Sequence, residues 1–154
     1  MSEAQPQEPF LAIEKVYVKD LSVEVPNAPK VFLEQQAPQV ELNISNSAEP
    51  ISEGYYHVLT TITVTAKAGE RTVFLVEAKQ GGVFQIRNIP PSDLEAVLAV
   101  ACPNILFPYL RETVSDAIVR AGFPPYFVPP VNFERFYQQR QQAAAAATPP
   151  AAPH

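Results

Sequence analysis

The chain has 154 residues, 47% of them apolar, and a formal charge of −5 from 11 basic and 16 acidic side chains. That is enough for one domain with a real core, ordinary for a globular protein, and poorly suited to nucleic acid, whose phosphates need clustered Lys and Arg. A single cysteine, Cys102, leaves no internal disulfide and reads as an intracellular chain.

Residues 1–9 are polar and acidic. They read as a loose arm, without the basic start and apolar core of a signal peptide. Four strand candidates follow. Ile13–Val25 puts Leu21, Val23 and Val25 on one face and Asp20, Ser22 and Glu24 on the other. Val40–Ile44 alternates over a short span. The link from Ser45 to Gly54 is longer than a tight hairpin needs and is expected to cross over the sheet, a Greek-key feature. Tyr55–Ala66 is rich in Thr, Val, Ile and Tyr. Thr72–Ile86 turns Phe74, Val76 and Ala78 to one side and Leu75 and Glu77 to the other. Lys67–Glu70 contains Gly69 and suits a tight hairpin. Gly81-Gly82 predicts a bulge or bend inside the last strand.

Helices come next. Ser92-Asp-Leu-Glu95 has the form of a capping box. Pro103 is expected to interrupt, and a long helix then covers Ile105 to Ala121, stopped by Gly122. Ala96–Leu110, the greasiest run, is broken by Pro103, Asn104 and Pro108 and falls short of the roughly 20 apolar residues of a membrane span. The spacing gathers Leu106, Phe107, Leu110, Val114, Ala117, Ile118 and Ala121 into one stripe. Ile105, Tyr109 and Val119 lie nearly opposite, near Glu112 and Asp116. They are either stray exposed apolars or the second greasy side of a helix held between its own sheet and another subunit. Asn132 caps a last helix carrying Phe133, Phe136 and Tyr137, which the following alanines can prolong. The reading is an arm at 1–9, a single domain at 10–141 and a disordered Ala/Pro-rich tail at 142–154. The fold class is α+β: a four-stranded antiparallel, Greek-key-like sheet with C-terminal helices packed on one face.

The segment AGFPPYFVPPVNF (Ala121–Phe133) is aromatic but too rich in proline for regular structure. Tyr126, Phe127, Val128 and the last-helix aromatics either cap the core or line a preformed apolar groove with the Ser45–Gly54 link. The face carrying Asp20, Glu24, Leu75 and Glu77 is either a solvated sheet face or an acidic patch with a greasy centre. Little chemistry is visible. Two histidines, His57 and His154, and one cysteine cannot supply a His/Cys metal site. QGGVF lacks a phosphate-binding pattern. Cys102 with His57 as a nucleophile pair stands against a simply buried thiol.

Four stretches carry a resemblance to a known family: YVKDLSVEVPNAPKVF (Tyr17–Phe32), FLVEAKQGGVFQI (Phe74–Ile86), AVACPNILFPYLRE (Ala99–Glu112) and PPVNFERFY (Pro129–Tyr137). In order and spacing they resemble SecB, the bacterial protein-export chaperone, over nearly the whole folded part. Gln36 is a departure, since a tryptophan is familiar there in some members. The resemblance implies a cytoplasmic homotetramer, a dimer of dimers with the long helices between the dimers. It implies a chaperone without cofactor, metal or ATP that holds unfolded secretory precursors and delivers them to the SecA ATPase, with no direct membrane insertion. It places SecA binding on Asp20, Glu24, Leu75 and Glu77, and assembly on Val76, Ala78 and Gln80, to which Ile105, Tyr109 and Val119 add the outward helix face. The client groove is expected at Tyr126, Phe127, Val128, Phe133, Phe136 and Tyr137. The alternatives are a SecB-like chaperone dedicated to a toxin–antitoxin pair and a small oligomeric enzyme using Cys102.

Overall fold

The computed structural model describes residues 5–147. The remainder of the arm (1–4) and of the tail (148–154) lies outside the described residues. The strands are β1 (Phe10–Glu24), β2 (Gln39–Ser52), β3 (Tyr55–Ala68) and β4 (Arg71–Arg87). They form one antiparallel sheet in the order β1-β4-β3-β2. Three strands joined by hairpins with the first returned beside the last is the Greek-key arrangement.

The crossover lies elsewhere than expected. Ser45–Ser52 is not a link but the second half of β2, paired from Ser45↔Thr61 to Ser52↔Tyr55. Pro50 is tolerated because β2 is an edge strand and needs no donor on its outer side. Glu53 and Gly54, the latter at φ +76°, make a tight turn into β3. The true crossover is residues 25–38, running from one edge of the sheet to the other. It is tied to the β3–β4 end by Asn27 Nδ2, which donates to the Thr72 carbonyl at 2.8 Å, and by buried Val31.

Gly81 and Gly82 do not bulge, and their register with both neighbours is continuous. The irregularities are in β1, between Ile13 and Lys15 and between Val18 and Asp20. The glycines serve close approach. A Cβ on Gly81 would lie 2.5 Å from Tyr17 Cζ on one face, and one on Gly82 would lie 2.6 Å from Phe84 Cε2 and 2.8 Å from Leu106 Cδ2 on the other.

Helix α1 (Pro91–Ala96) starts without the capping box: Pro90 is the cap residue and Pro91 the first helical one, with no side-chain cap bond. Proline at that position loses nothing, because the first-turn N–H has no helical partner. Pro103 does not interrupt either. A π turn (Val97–Ala101) carries α1 straight into α2 (Cys102–Arg120), with Cys102 N–H donating to Val97 O five residues back. The wider turn fits a residue with no N–H whose ring would crowd an ordinary helix. Pro91–Arg120 is therefore one helix, long and apolar enough by length and composition to cross a bilayer. Here it is the core helix, with Leu106, Leu110, Val114 and Ile118 fully buried. Gly122 (φ +95°) ends it: Gly122 N–H donates to Val119 O and Phe123 N–H to Ile118 O, the Schellman pattern. Helix α3 (Phe133–Ala146) is capped by Asn132 Oδ1 accepting from Arg135 N–H at 3.0 Å, and continues past residue 141.

The core divides in two. Ile62, Val64, Val76 and Ala78 meet Leu110, Val114 and Ile118 in one cluster; Val58, Phe84 and Ile86 meet Cys102 and Leu106 in the other. Between them the inner sheet face carries a polar row, Asn46↔Thr60↔Gln80. Thr113 Oγ1 of α2 reaches Gln80 Oε1 at 3.5 Å, while Thr60 Oγ1 and Asn46 Oδ1 have no hydrogen-bond partner.

Candidate functional site: a trough along β2 and an acidic sheet face

A helix with its side chains is about 10–12 Å across, and strands lie about 4.8 Å apart, so one helix covers roughly two strands. Helix α2 packs on β3 and β4. The inner faces of both edge strands are left over, and each becomes a surface.

On the β2 side the leftover face is walled by the returning chain. Val40, Leu42, Ile44, Asn46 and Ala48 share the inner face by register. At roughly 3.3 Å per residue, Val40 to Ala48 spans about 26 Å. Three clefts follow one another along it. The first, about 360 Å³, lies between Val40, Phe74, the crossover (Phe32, Gln36) and the segment after α2 (Phe123, Tyr126). Its walls are braced by rings: Phe123 packs at a tilt against both Phe32 and Phe74, with ring centres 5.2 Å and 5.0 Å away. The second, about 600 Å³, runs past Leu42 and Ile44 beneath Pro129, Pro130, Arg135 and Phe136. The third, about 180 Å³, reaches Asn46 and Ala48 below Glu95, Leu98 and Arg140. No backbone hydrogen bond joins the outer edge of β2 to another described element.

The groove residues read from sequence separate by depth. Phe127 is 72% exposed and Phe136 47%, whereas Val128 and Phe133 are buried. Phe133 packs edge-on to Phe107 at 5.8 Å. Val128 and Phe133 are thus foundation, while Tyr126, Phe127 and Phe136 belong to the surface. Tyr137 lines a separate cleft on the other flank of α3, against Val97, Val100 and Ala101. The Ser45–Gly54 stretch does line the trough, through Asn46, Ser47 and Ala48, but as part of strand β2 rather than as a crossover. Sequence reasoning missed Phe32, Phe123, Val40, Leu42 and Ile44. The strict alternation of VELNI pointed at an inward row, but nothing in it said that α2 would leave that row uncovered.

On the other flank, Ile13, Val18, Leu21 and Val23 of β1 are 41–50% exposed. This edge was also missed as a surface. On α2, Tyr109 (52%) and Val119 (49%) point away from the sheet, and Ile105 is half-buried. Val76, Ala78 and Gln80 are buried within the protomer beneath α2.

The outer face of the sheet brings the acidic set together. Register places Glu24 beside Leu75, Ser22 beside Glu77 and Asp20 beside Lys79. Thr63 Oγ1 donates to Glu77 Oε2 at 3.1 Å, and Lys79 Nζ stands 3.9 Å from Glu77 Oε1. Glu41 extends the row, through Thr65, on the far side of Leu75.

Cys102 is fully buried, and burial pushes its thiol up to about 12. His57 is on the opposite face of the sheet, where Tyr17 Oη and His57 Nε2 are 2.7 Å apart and Glu49 is 3.5 Å from Nδ1. The nucleophile pair does not form.

Braced apolar surface beside an unpaired strand edge is the kind of surface that takes up extended polypeptide, as a chaperone does. A family model described as "Preprotein translocase subunit SecB" matches residues 4–144. The protein-export protein SecB of Nitrosospira multiformis is 55% identical over 99% of this chain and 96% of its own, and that of Thiobacillus denitrificans 57% identical over 90% of each. The chain belongs to the SecB family. The solved SecB-like chaperone of Mycobacterium tuberculosis, in complex with an antitoxin peptide, superposes with a TM-score of 0.66 over 79% of this chain and 90% of that one, at 18% identity, and shares the fold.

Proposed function

We propose that this protein is a cytoplasmic export chaperone, a dimer of dimers that holds unfolded secretory precursors without ATP and hands them to SecA. The observation that carries the reading is the trough along β2: an inner face about 26 Å long, apolar at Val40, Leu42 and Ile44, beside an unpaired strand edge. An extended segment set there gains burial for its apolar side chains and partners for its backbone, the two things an unfolded chain lacks. Adaptable surface of this kind suits many clients. Binding only the unfolded form draws clients away from their native state by mass action. Export names at 55% identity or more favour this over a dedicated toxin–antitoxin role, for which the likeness is one of fold alone.

Assembly uses the surfaces left bare. A long apolar edge strand invites pairing with another chain, and the exposed inner face of β1 with Tyr109 and Val119 fits sister copies. Ile105 lies beside them, and Val76, Ala78 and Gln80 act from behind α2. Asp20, Glu24, Leu75 and Glu77 face away from the trough and supply an acidic surface for a basic segment of SecA. Client and motor are then held on different faces.

The test is the light-scattering mass of the purified protein, with and without a reduced, unfolded secretory precursor. A tetramer that gains the mass of bound precursor supports the reading. A monomer that ignores denatured chains at micromolar concentration refutes it.

A further inference from the structure

The free edge of β2 has a phase, and hydrogen bonds elsewhere in the sheet fix it. In an antiparallel sheet each residue turns its N–H and C=O to one side of its strand, and the next residue turns them to the other. Gly54 O accepts from Ile86 N–H at 2.9 Å, so the residues of β3 in step with Gly54 (Tyr56, Val58, Thr60) turn toward β4. Those between them, from His57 to Thr65, turn toward β2, where they meet the odd-numbered residues from Glu49 back to Glu41. Val40, Leu42, Ile44, Asn46 and Ala48 are left with N–H and C=O pointing away from the sheet. Pro50 agrees with this: it stands in step with that set and has no N–H to give to β3. The same residues carry the side chains that floor the trough. Free backbone and trough side chains are therefore offered by the same positions, every second residue.

We propose that a client adds to β2 as an antiparallel strand, so that the client residues hydrogen-bonded to β2 are the same ones that bury their side chains in the trough. The inference rests on the trough being the client site, and it adds how the client's backbone is held. All three pairings within the sheet are antiparallel, the more stable arrangement. In it, a client residue opposite Leu42 or Ile44 exchanges both bonds with that residue and shares its face of the sheet. A parallel strand reverses the phase. The bonds from Leu42 then go to the two client residues flanking its opposite number, and their side chains point out of the trough. What is recognised is a free N–H at alternate positions, each beneath an apolar side chain. That suits many sequences and excludes proline only where the client faces the trough. Pro50 offers no donor, so the bonded stretch runs from Val40 to Ala48 and the client's N-terminal side leaves the ladder there.

The test uses the intact assembly and a short uncharged peptide in which apolar residues alternate with glutamine, with one backbone nitrogen methylated at a time. Methylation at an apolar residue removes an N–H that faces β2 and is expected to weaken binding by about two- to tenfold, the net worth of one hydrogen bond. Methylation at a glutamine removes an N–H that faces solvent and should leave affinity unchanged. In residue-resolved hydrogen exchange the amides of Leu42 and Ile44 should slow on saturation with the parent peptide, whereas those of Asn43 and Ser45, bonded to β3, are slow in the free protein too. Losses confined to the methylated glutamines mean parallel addition. Equal losses in both sets, no losses, or Leu42 and Ile44 amides that stay fast mean a client backbone not bonded to β2 in this way. Each of these overturns the inference and leaves the trough standing, so long as Phe136→Asp, shown by circular dichroism and mass to fold and assemble, weakens the parent peptide. If the parent peptide does not bind, or that variant binds it unchanged, the trough reading falls and the inference with it.

Discussion

Phe127 and Phe133 are six residues apart in a single aromatic stretch, yet replacing each by alanine should do opposite things. Phe127 is 72% exposed, so the fold gains little from it. Complete burial of such a side chain is worth about 1.5–3 kcal/mol. With most of that still ungained, covering Phe127 on binding contributes about 1–2 kcal/mol, or roughly five- to thirtyfold in dissociation constant. Phe127→Ala should weaken a short single-site peptide by that factor, measured by isothermal titration, and leave the urea unfolding midpoint in place. Phe133 is 1% exposed against Phe107. Phe133→Ala should cost about 3–5 kcal/mol of stability and disturb binding only through the fold. A short peptide is needed, because several weak contacts on one assembly would mask a single loss. If Phe127→Ala binds peptide like the parent while fold and assembly persist, the trough does not extend to the proline-rich lip.

Removing the carboxylates of Asp20, Glu24 and Glu77 together should slow association with SecA and flatten its salt dependence, with peptide affinity unchanged; loss of both functions would refute separate surfaces. Tyr109→Asp with Val119→Asp should split the assembly into smaller species by light scattering while the circular dichroism of the protomer is retained; an intact tetramer would remove α2 from the interface. Native Cys102 should react with iodoacetamide at pH 8 about a thousandfold more slowly than in urea, since its thiol is held near 12 rather than 9.0. The raised value also fixes a sign. The folded state retains the proton through which the unfolded state is losing its own, so stability falls as pH rises from 9.0 to about 12. Cys102→Ala should make that decline shallower.

The parts of the fold legible in the sequence are those dictated by local pattern. The α2 stripe from Leu106 to Ile118 and the Asn132 cap follow from 3.6-residue periodicity and from an N–H that needs an acceptor. The alternation of Phe74, Val76 and Ala78 fixed which face of β4 meets the helix, and so which face shows Leu75 and Glu77. What escaped depends on distant neighbours. SNSAEPIS has little intrinsic strand character, and it extends because the Tyr55–Thr61 stretch offers it a partner. Ser92 and Glu95 have capping chemistry, but Pro91 had already opened the helix one residue earlier. Gly81 and Gly82 resembled a bulge in one dimension, whereas their small size is needed by Tyr17 and Leu106, which arrive from remote parts of the chain. Alternation along β1 and β4 left open whether Asp20 and Glu24 share a face with Leu75 and Glu77, because that depends on which strands are neighbours; the β1–β4 pairing puts them side by side. The trough was only half seen, since its floor is defined by how far α2 fails to reach.

The row of Asn46, Thr60 and Gln80 parts the interior of the protomer into two apolar layers. A buried oxygen without a donor costs stability, and Asn46 Oδ1 and Thr60 Oγ1 are both in that position. Because Asn46 also lines the last cleft, the least satisfied seam of the interior reaches the surface at the far end of the trough.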